Sequence, residues 1–153
     1  RSVTQTATSG QPVRRCMRQV APCLYIGGLT DAGRPKLLNT REITAVLKLT
    51  HSPPETPYPD AVTVADHPLI DGPQDDLEKF REAVDRLITL LERSETVLVH
   101  CSAGSSRSGA IAATALARMD GTDIETALAR IQDKKPDVEP HPALLEHARR
   151  TLG

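Results

Sequence analysis

Residues 96–119 constrain the fold more tightly than any other stretch of the chain. TVLV (96–99) carries no charge and no polar alternation, so it reads as a strand without a water-facing side. A strand of that kind belongs to a sheet covered on both faces. It runs straight into His100 and Cys101, then five small residues, then Arg107, and residues 108–119 are Ala-rich and helical. A buried strand therefore delivers a cysteine to the mouth of a tight loop that opens a helix.

The rest of the chain alternates in the same manner. Residues 23–26 (CLYI) look like a short strand followed by a turn at Gly27-Gly28, and a short helix is expected over 30–39. Residues 44–49 (TAVLKL) and 61–66 (AVTVAD) give strand signals. Between them, Pro53, Pro54, Pro57 and Pro59 exclude both helix and central strand, so 51–60 is a loop. Leu77, Phe80, Val84, Leu87, Ile88 and Leu91 recur at three- and four-residue spacings, which predicts an amphipathic helix over 75–92. Asp75, Asp76 and Glu78 stand near its start, where the helix dipole favours anions. Further helices are expected over 122–133 and 143–151. Strands alternating with helices argue an α/β layer architecture.

A length of 153 residues fits one domain, read as a flexible lead over 1–19 and a folded domain over 20–153. The only aromatics are Tyr25, Tyr58 and Phe80, so the core rests on Leu, Ile, Val and Ala. That scarcity also argues against base-stacking on nucleic acid. Residues 1–30 carry Arg1, Arg14, Arg15 and Arg18 and no acid, whereas residues 31–153 hold 15 basic and 20 acidic side chains. The basic lead reads as a solvated tail. No apolar run approaches the roughly 20 residues that cross a bilayer. Three cysteines, Cys16, Cys23 and Cys101, do not make a disulfide framework, which points to a reducing, cytoplasmic setting. A disulfide from Cys101 to Cys16 or Cys23 would protect the thiol reversibly, but unpaired thiols are the simpler expectation. His51, His67 and His147 show no metal-ligand spacing, so no metal site and no cofactor are expected.

The chemistry concentrates in VLVHCSAGSSRSGA, residues 97–110. Phosphoryl transfer requires a nucleophile, a cradle for the oxygens of the transferring group, and fixed positive charge. Five residues between Cys101 and Arg107 make a loop that fits one phosphate. Small side chains at Ser102, Ala103, Gly104, Ser105 and Ser106 let successive backbone N–H groups turn inward as an anion nest. The helix beginning near Ser108 adds its N-terminal dipole, and Arg107 offers two parallel donors where lysine would offer a point charge. The same field favours a thiolate at Cys101. His100 can orient the loop through its ring nitrogens, and the Ser108 hydroxyl can donate to the sulfur when it must leave.

HCSAGSSRS (100–108) closely resembles the signature loop of the dual-specificity phosphatases, within the protein tyrosine phosphatase superfamily. The resemblance continues through LYIGG (24–28), ITAVLKLT (43–50), HPLIDGPQDDL (67–77) and KKPDVEPHPALLEHA (134–148), about residues 20–150 in all. It implies a central, mostly parallel sheet with helices on both faces. It also implies metal-free hydrolysis of phosphotyrosine and phosphoserine or phosphothreonine through a phosphocysteine, by a monomer acting on phosphoproteins rather than on nucleic acid or membranes. By motif, Cys101 is the nucleophile, Arg107 the phosphate clamp and Asp71 the general acid. Asp66, Asp75 and Asp76 compete for that last role. Asp66 closes a strand and Asp75 and Asp76 open a helix, whereas Asp71 sits in a Gly-Pro loop six residues before Leu77, the family's spacing. Lys48 and His141 stand where members often have Asn, which puts hydrogen bonding near the loop in question; a solvated Lys48 is the plain expectation. Two alternatives remain in view: a phosphate-binding pseudophosphatase, and a phosphatase for phosphoinositides or RNA 5′ ends. The loop has no lysine between Cys101 and Arg107, which favours phosphoprotein.

Overall fold

The structure, a computed structural model, describes residues 17–70 and 76–153. Among them, five strands form one sheet: β1 (Arg18–Ala21), β2 (Leu24–Gly27), β3 (Ala45–Lys48), β4 (Thr63–Asp66) and β5 (Val97–His100). Their spatial order is β1-β2-β5-β3-β4, parallel except for β1, which runs antiparallel to β2. β5 and β3 are buried along their whole lengths and occupy the interior of the sheet. β4, at the edge, buries only Ala65. The α/β class and the helix-covered, mostly parallel sheet thus agree with the sequence reading.

Side-chain alternation splits the core in two. Leu24, Ile26, Ala45, Leu47, Val97 and Val99 face α3 (Leu77–Glu92), α4 (Arg107–Asp120), α5 (Ile124–Lys134) and α6 (Pro142–Leu152). Val46 and Leu98 face the other way, against α1 (Leu29–Ala32), α2 (Pro35–Thr40) and the loop that carries Tyr58 and Val62. In α3 the buried face is Phe80, Ala83, Val84, Leu87 and Leu90. Burying side chains of this size contributes about 1.5–3 kcal/mol each. α4 buries Gly109 and every residue from Ala110 to Ala115, and its small side chains let it lie flat on the sheet between α3, α5 and α6.

Three local expectations change. β1 begins at Arg18, inside the stretch read as a lead; RQVA buries only Val20, and the strand exists because the free edge of β2 accepts it. Cys23 is not a strand residue but an exposed turn residue with φ 63°. The helix expected over 30–39 is two helices, because Pro35 begins α2 and holds Arg34 out of helical geometry.

Candidate active site

β5 ends at the centre of the sheet's C-terminal edge, with β2 on one side and β3 on the other. Cys101 therefore emerges where neighbouring connections diverge, the usual position for a ligand crevice in such sheets. Its N–H reaches the Gly27 carbonyl at 3.4 Å, and the Leu29 N–H donates to the Ser102 carbonyl at 3.0 Å. The β2–α1 turn thus supports one side of the loop. Gly104 is the residue this closeness demands. It has φ +73°, and a Cβ there would lie 2.6 Å from the Gly27 carbonyl carbon. A Cβ on Gly28 would meet the Ser102 carbonyl at 2.8 Å, so the approach is glycine against loop on both sides.

The other side rests on the segment before α6. Ser105 Oγ donates to the Asp137 carbonyl at 2.9 Å, Glu139 N–H to the Ser105 carbonyl at 3.2 Å, and His141 N–H to Ser106 Oγ at 2.8 Å. That segment is itself anchored by fully buried Lys135, whose Nζ lies 2.9 and 2.8 Å from the two carboxylate oxygens of Asp137. Cys101, Ser102, Ala103, Ser105, Ser106 and Arg107 line one wall of a cavity of about 360 Å³, and Glu139, Pro140, His141 and Pro142 line the other.

Cys101 Sγ stands 3.2 Å from the fully buried Ser108 Oγ. Arg107 Nη1 donates to the Leu69 carbonyl and Nη2 to Ser102 Oγ, both at 2.9 Å, so the guanidinium is held across the loop mouth. Arg107 is the first residue of α4, and Ser106 takes the N-cap position without capping through its side chain. The first-turn N–H groups of a helix have no intrahelical acceptor and are available to an anion. His100 does not line the cavity. It is fully buried beneath the loop, with Nε2 2.8 Å from Tyr58 Oη. Nδ1 makes no well-formed hydrogen bond, although the Cys101 backbone is close enough to favour the imidazolium. Burial pushes the His100 pKa down to about 4, with Lys48 and Arg107 adding to the effect, so the ring is neutral at pH 7. Burial also raises Tyr58 to about 12, helped by the Asp66 carboxylate.

Other expectations are sorted by the same geometry. Asp76 caps α3, its Oδ1 accepting from the Glu78 N–H at 3.0 Å, and Asp66, at the end of β4, pairs with Lys48. Asp71 and Asp75 lie outside the described residues, as does Cys16. Lys48 is not solvated: it is 7% exposed, with Nζ 2.7 Å from the Thr50 carbonyl and 3.0 Å from Asp66 Oδ1. Its place inside the apolar run VLKL was the available signal. His141 does the capping that Asn would do, its Nδ1 accepting from Ala143 N–H at 3.0 Å. Cys23 cannot reach Cys101. Its carbonyl accepts from Val97 N–H, at the far end of β5, and four residues of strand separate the two thiols by about 13 Å, beyond disulfide range. Tyr58 was not foreseen, because a Pro-rich loop has no periodicity from which to read which residue turns inward.

A sheet of this order, with a cysteine-headed small-residue loop closed by a helix-leading arginine, defines the class of cysteine-loop phosphatase folds. The family model described as "Dual specificity phosphatase, catalytic domain" matches residues 24–149, and the chain belongs to the dual-specificity phosphatase family. It is 31% identical over 145 residues to human (Homo sapiens) dual specificity protein phosphatase 12, which spans 90% of this chain and 40% of that protein. It is 30% identical over 127 residues to mouse (Mus musculus) dual specificity protein phosphatase 15, covering 82% of this chain and 53% of that one. The chain thus spans about half the length, or less, of these curated relatives. The crystal structure of DUSP15 superposes with a TM-score of 0.80 at 26% identity, covering 90% of this chain and 88% of that one.

Proposed function

We propose that this chain hydrolyses phosphotyrosine and phosphoserine or phosphothreonine monoesters through a phosphocysteine on Cys101, without a metal. The observation that carries the reading is the buried 3.2 Å contact between Cys101 Sγ and Ser108 Oγ at the floor of a cavity rimmed by Arg107. In the first step the Cys101 thiolate attacks phosphorus in line, the P–S bond forms, and the P–O bond to the leaving group breaks. Asp71 gives its proton to the departing oxygen. In the second step Asp71 takes a proton from water, the water oxygen bonds to phosphorus, and the P–S bond breaks to return the thiolate, which Ser108 Oγ–H solvates. Arg107 and the N–H groups of residues 102–107 hold the equatorial oxygens throughout, which is where electrostatic stabilisation is largest.

The far wall supports the substrate reading. Glu139 places a carboxylate beside the phosphate cavity and Pro140 and Pro142 add no charge, a poor surface for a polyphosphorylated headgroup or an RNA end. The test is turnover of a phosphotyrosine peptide, a phosphothreonine peptide, a phosphoinositide and RNA 5′-triphosphate at one pH. Peptide turnover is expected, and Cys101→Ser should leave less than about one per cent of it, because a serine hydroxyl is far harder to ionise. Preference for the lipid or the RNA overturns the substrate reading. Substantial residual activity in Cys101→Ser overturns the cysteine mechanism.

A further inference from the structure

One row across the sheet carries ionisable side chains where an apolar layer would be expected. At the C-terminal ends of the strands, Gly27 of β2 pairs with His100 of β5, His100 with Lys48 of β3, and Lys48 with Asp66 of β4. Residues in register on neighbouring parallel strands project from the same face, here the face covered by α1 and α2. Gly27 contributes no side chain to the row. Asp31 of α1 fills its place: Oδ2 would lie 3.1 Å from a Cβ at Gly27 and accepts from the Gly28 N–H at 3.0 Å. The row therefore reads Asp31, His100, Lys48, Asp66, with Tyr58 against His100.

The Lys48–Asp66 pair is lopsided. The lysine side chain is 8% exposed and the carboxylate 61%. Water screens the carboxylate far more than the ammonium, so the pair does not cancel as seen from the buried side. Toward the buried side the pair therefore presents more of its positive charge than of its negative. Taking an ammonium out of water is costly and is offset only by good partners, and here the Thr50 carbonyl and Asp66 supply them.

We propose that Lys48 is a positioning residue for the phosphatase reaction: its buried side chain, in register with His100 on the next strand, adds to burial in keeping His100 uncharged and so helps hold the phosphate loop in place as the pH falls. This rests on the reading of the active site given above. His100 is the last residue before the nucleophile, and its carbonyl accepts from the Leu49 N–H at 3.0 Å, which ties it to the residue that follows β3. An imidazolium there would be fully buried, and both Lys48 and Arg107 disfavour it. Among the described residues, the titratable and charged groups around it are Lys48 from β3, Asp66 from β4, Tyr58 from the 51–60 loop and Asp31 from α1, with the Cys101 thiol next in the chain and the Arg107 charge felt from the start of α4. Opening of residues 100–102 toward water would relieve that cost, and Cys101 and Ser102 are part of the cavity wall. The depressed His100 pKa, with Lys48 among its causes, has the sign this requires.

The experiment pairs a histidine-ring NMR titration with the pH profile of kcat/KM on p-nitrophenyl phosphate, for wild type, Lys48→Met, Lys48→Arg and Asp66→Asn. Lys48→Met should move the His100 midpoint and the acid limb of activity together to higher pH, by about threefold or more in proton concentration. Lys48→Arg should restore both. Asp66→Asn, which unmasks the ammonium, should move both to lower pH, and because Asp66 is largely exposed this variant keeps the test sound even if Lys48→Met folds poorly. An unmoved His100 midpoint in Lys48→Met and Asp66→Asn, with wild-type turnover intact, overturns the proposal alone. An acid limb that stays fixed while His100 moves overturns it as well. A wild type without turnover overturns the phosphatase reading, and the role assigned to Lys48 falls with it.

Discussion

A thiolate leaves a phosphorus centre slowly unless something solvates the charge as it departs. Ser108 Oγ, 3.2 Å from Cys101 Sγ and fully buried, is the hydroxyl placed to do so. A hydrogen bond to a charged group contributes about 1.5–3 kcal/mol, so Ser108→Ala should slow phosphoenzyme breakdown about tenfold or more while formation changes little. Rapid-quench kinetics with an aryl phosphate should then show a burst, and a variant that slows both steps equally would leave Ser108 a packing residue. Asp71 is tested at the other end of the reaction. Asp71→Asn should cut kcat on an alkyl phosphate by about a hundred- to ten-thousand-fold, and far less on an activated aryl phosphate, whose oxygen leaves without a proton. If Asp75→Asn gives that leaving-group dependence and Asp71→Asn does not, the assignment is reversed.

Among the elements, α6 and the segment before it decide how firmly the loop is held. His141 makes two bonds there: its N–H to Ser106 Oγ, and its Nδ1 as acceptor for Ala143 N–H at the start of α6. Loss of an N-cap costs about 1 kcal/mol. His141→Ala should therefore lower Tm by about 2–4 °C in thermal unfolding followed by circular dichroism. His141→Asn, which caps as well as any residue, should keep the wild-type Tm. Equal losses in both variants would mean that the imidazole stabilises by packing rather than by capping. Element identity was legible wherever pattern and packing agree: the stripe of α3 and the uncharged run of β5 each state a buried face. α1, α2 and β1 were misread because four to six residues are too few for a period to show, and their neighbours and Pro35 set their limits.

For the whole molecule, the buried histidine links stability to pH. Burial, with Lys48 and Arg107 adding to it, lowers the His100 pKa from the ordinary 6.5 to about 4 in the folded chain. Unfolding therefore takes up a proton between those values, and stability present above about pH 6.5 is lost as pH falls toward 4. The loss from this residue is on the order of 3 kcal/mol. His67 is lowered too, first by burial and then by Arg86, so it contributes in the same direction below 6.5. Asp123, held low by Thr126, and Glu125, held low by Arg149, act only at more acid pH, where carboxylates protonate. Urea unfolding at pH 7 and pH 5 should show the wild type markedly weaker at pH 5, with His100→Gln flattening the difference. A difference that survives in His100→Gln would place the linkage elsewhere.

The sequence by itself determined the cysteine loop. A cysteine, five small residues and an arginine are local in the chain, and the buried strand before them and the helix after them can be read within the same 24 residues. The α/β layering was legible for a related reason, because each long element declares its buried face by its own periodicity. What lies beneath the loop was decided only by the tertiary structure. Lys48, Asp66 and His100 are 18 to 52 residues apart, and become neighbours because three parallel strands happen to end in register. Tyr58 joins them from a loop without a pattern, and Asp31 from a helix of four residues. A charge read along the chain looks solvated; only the stacking of strands shows which side of the sheet it faces, and how much water remains there to screen it.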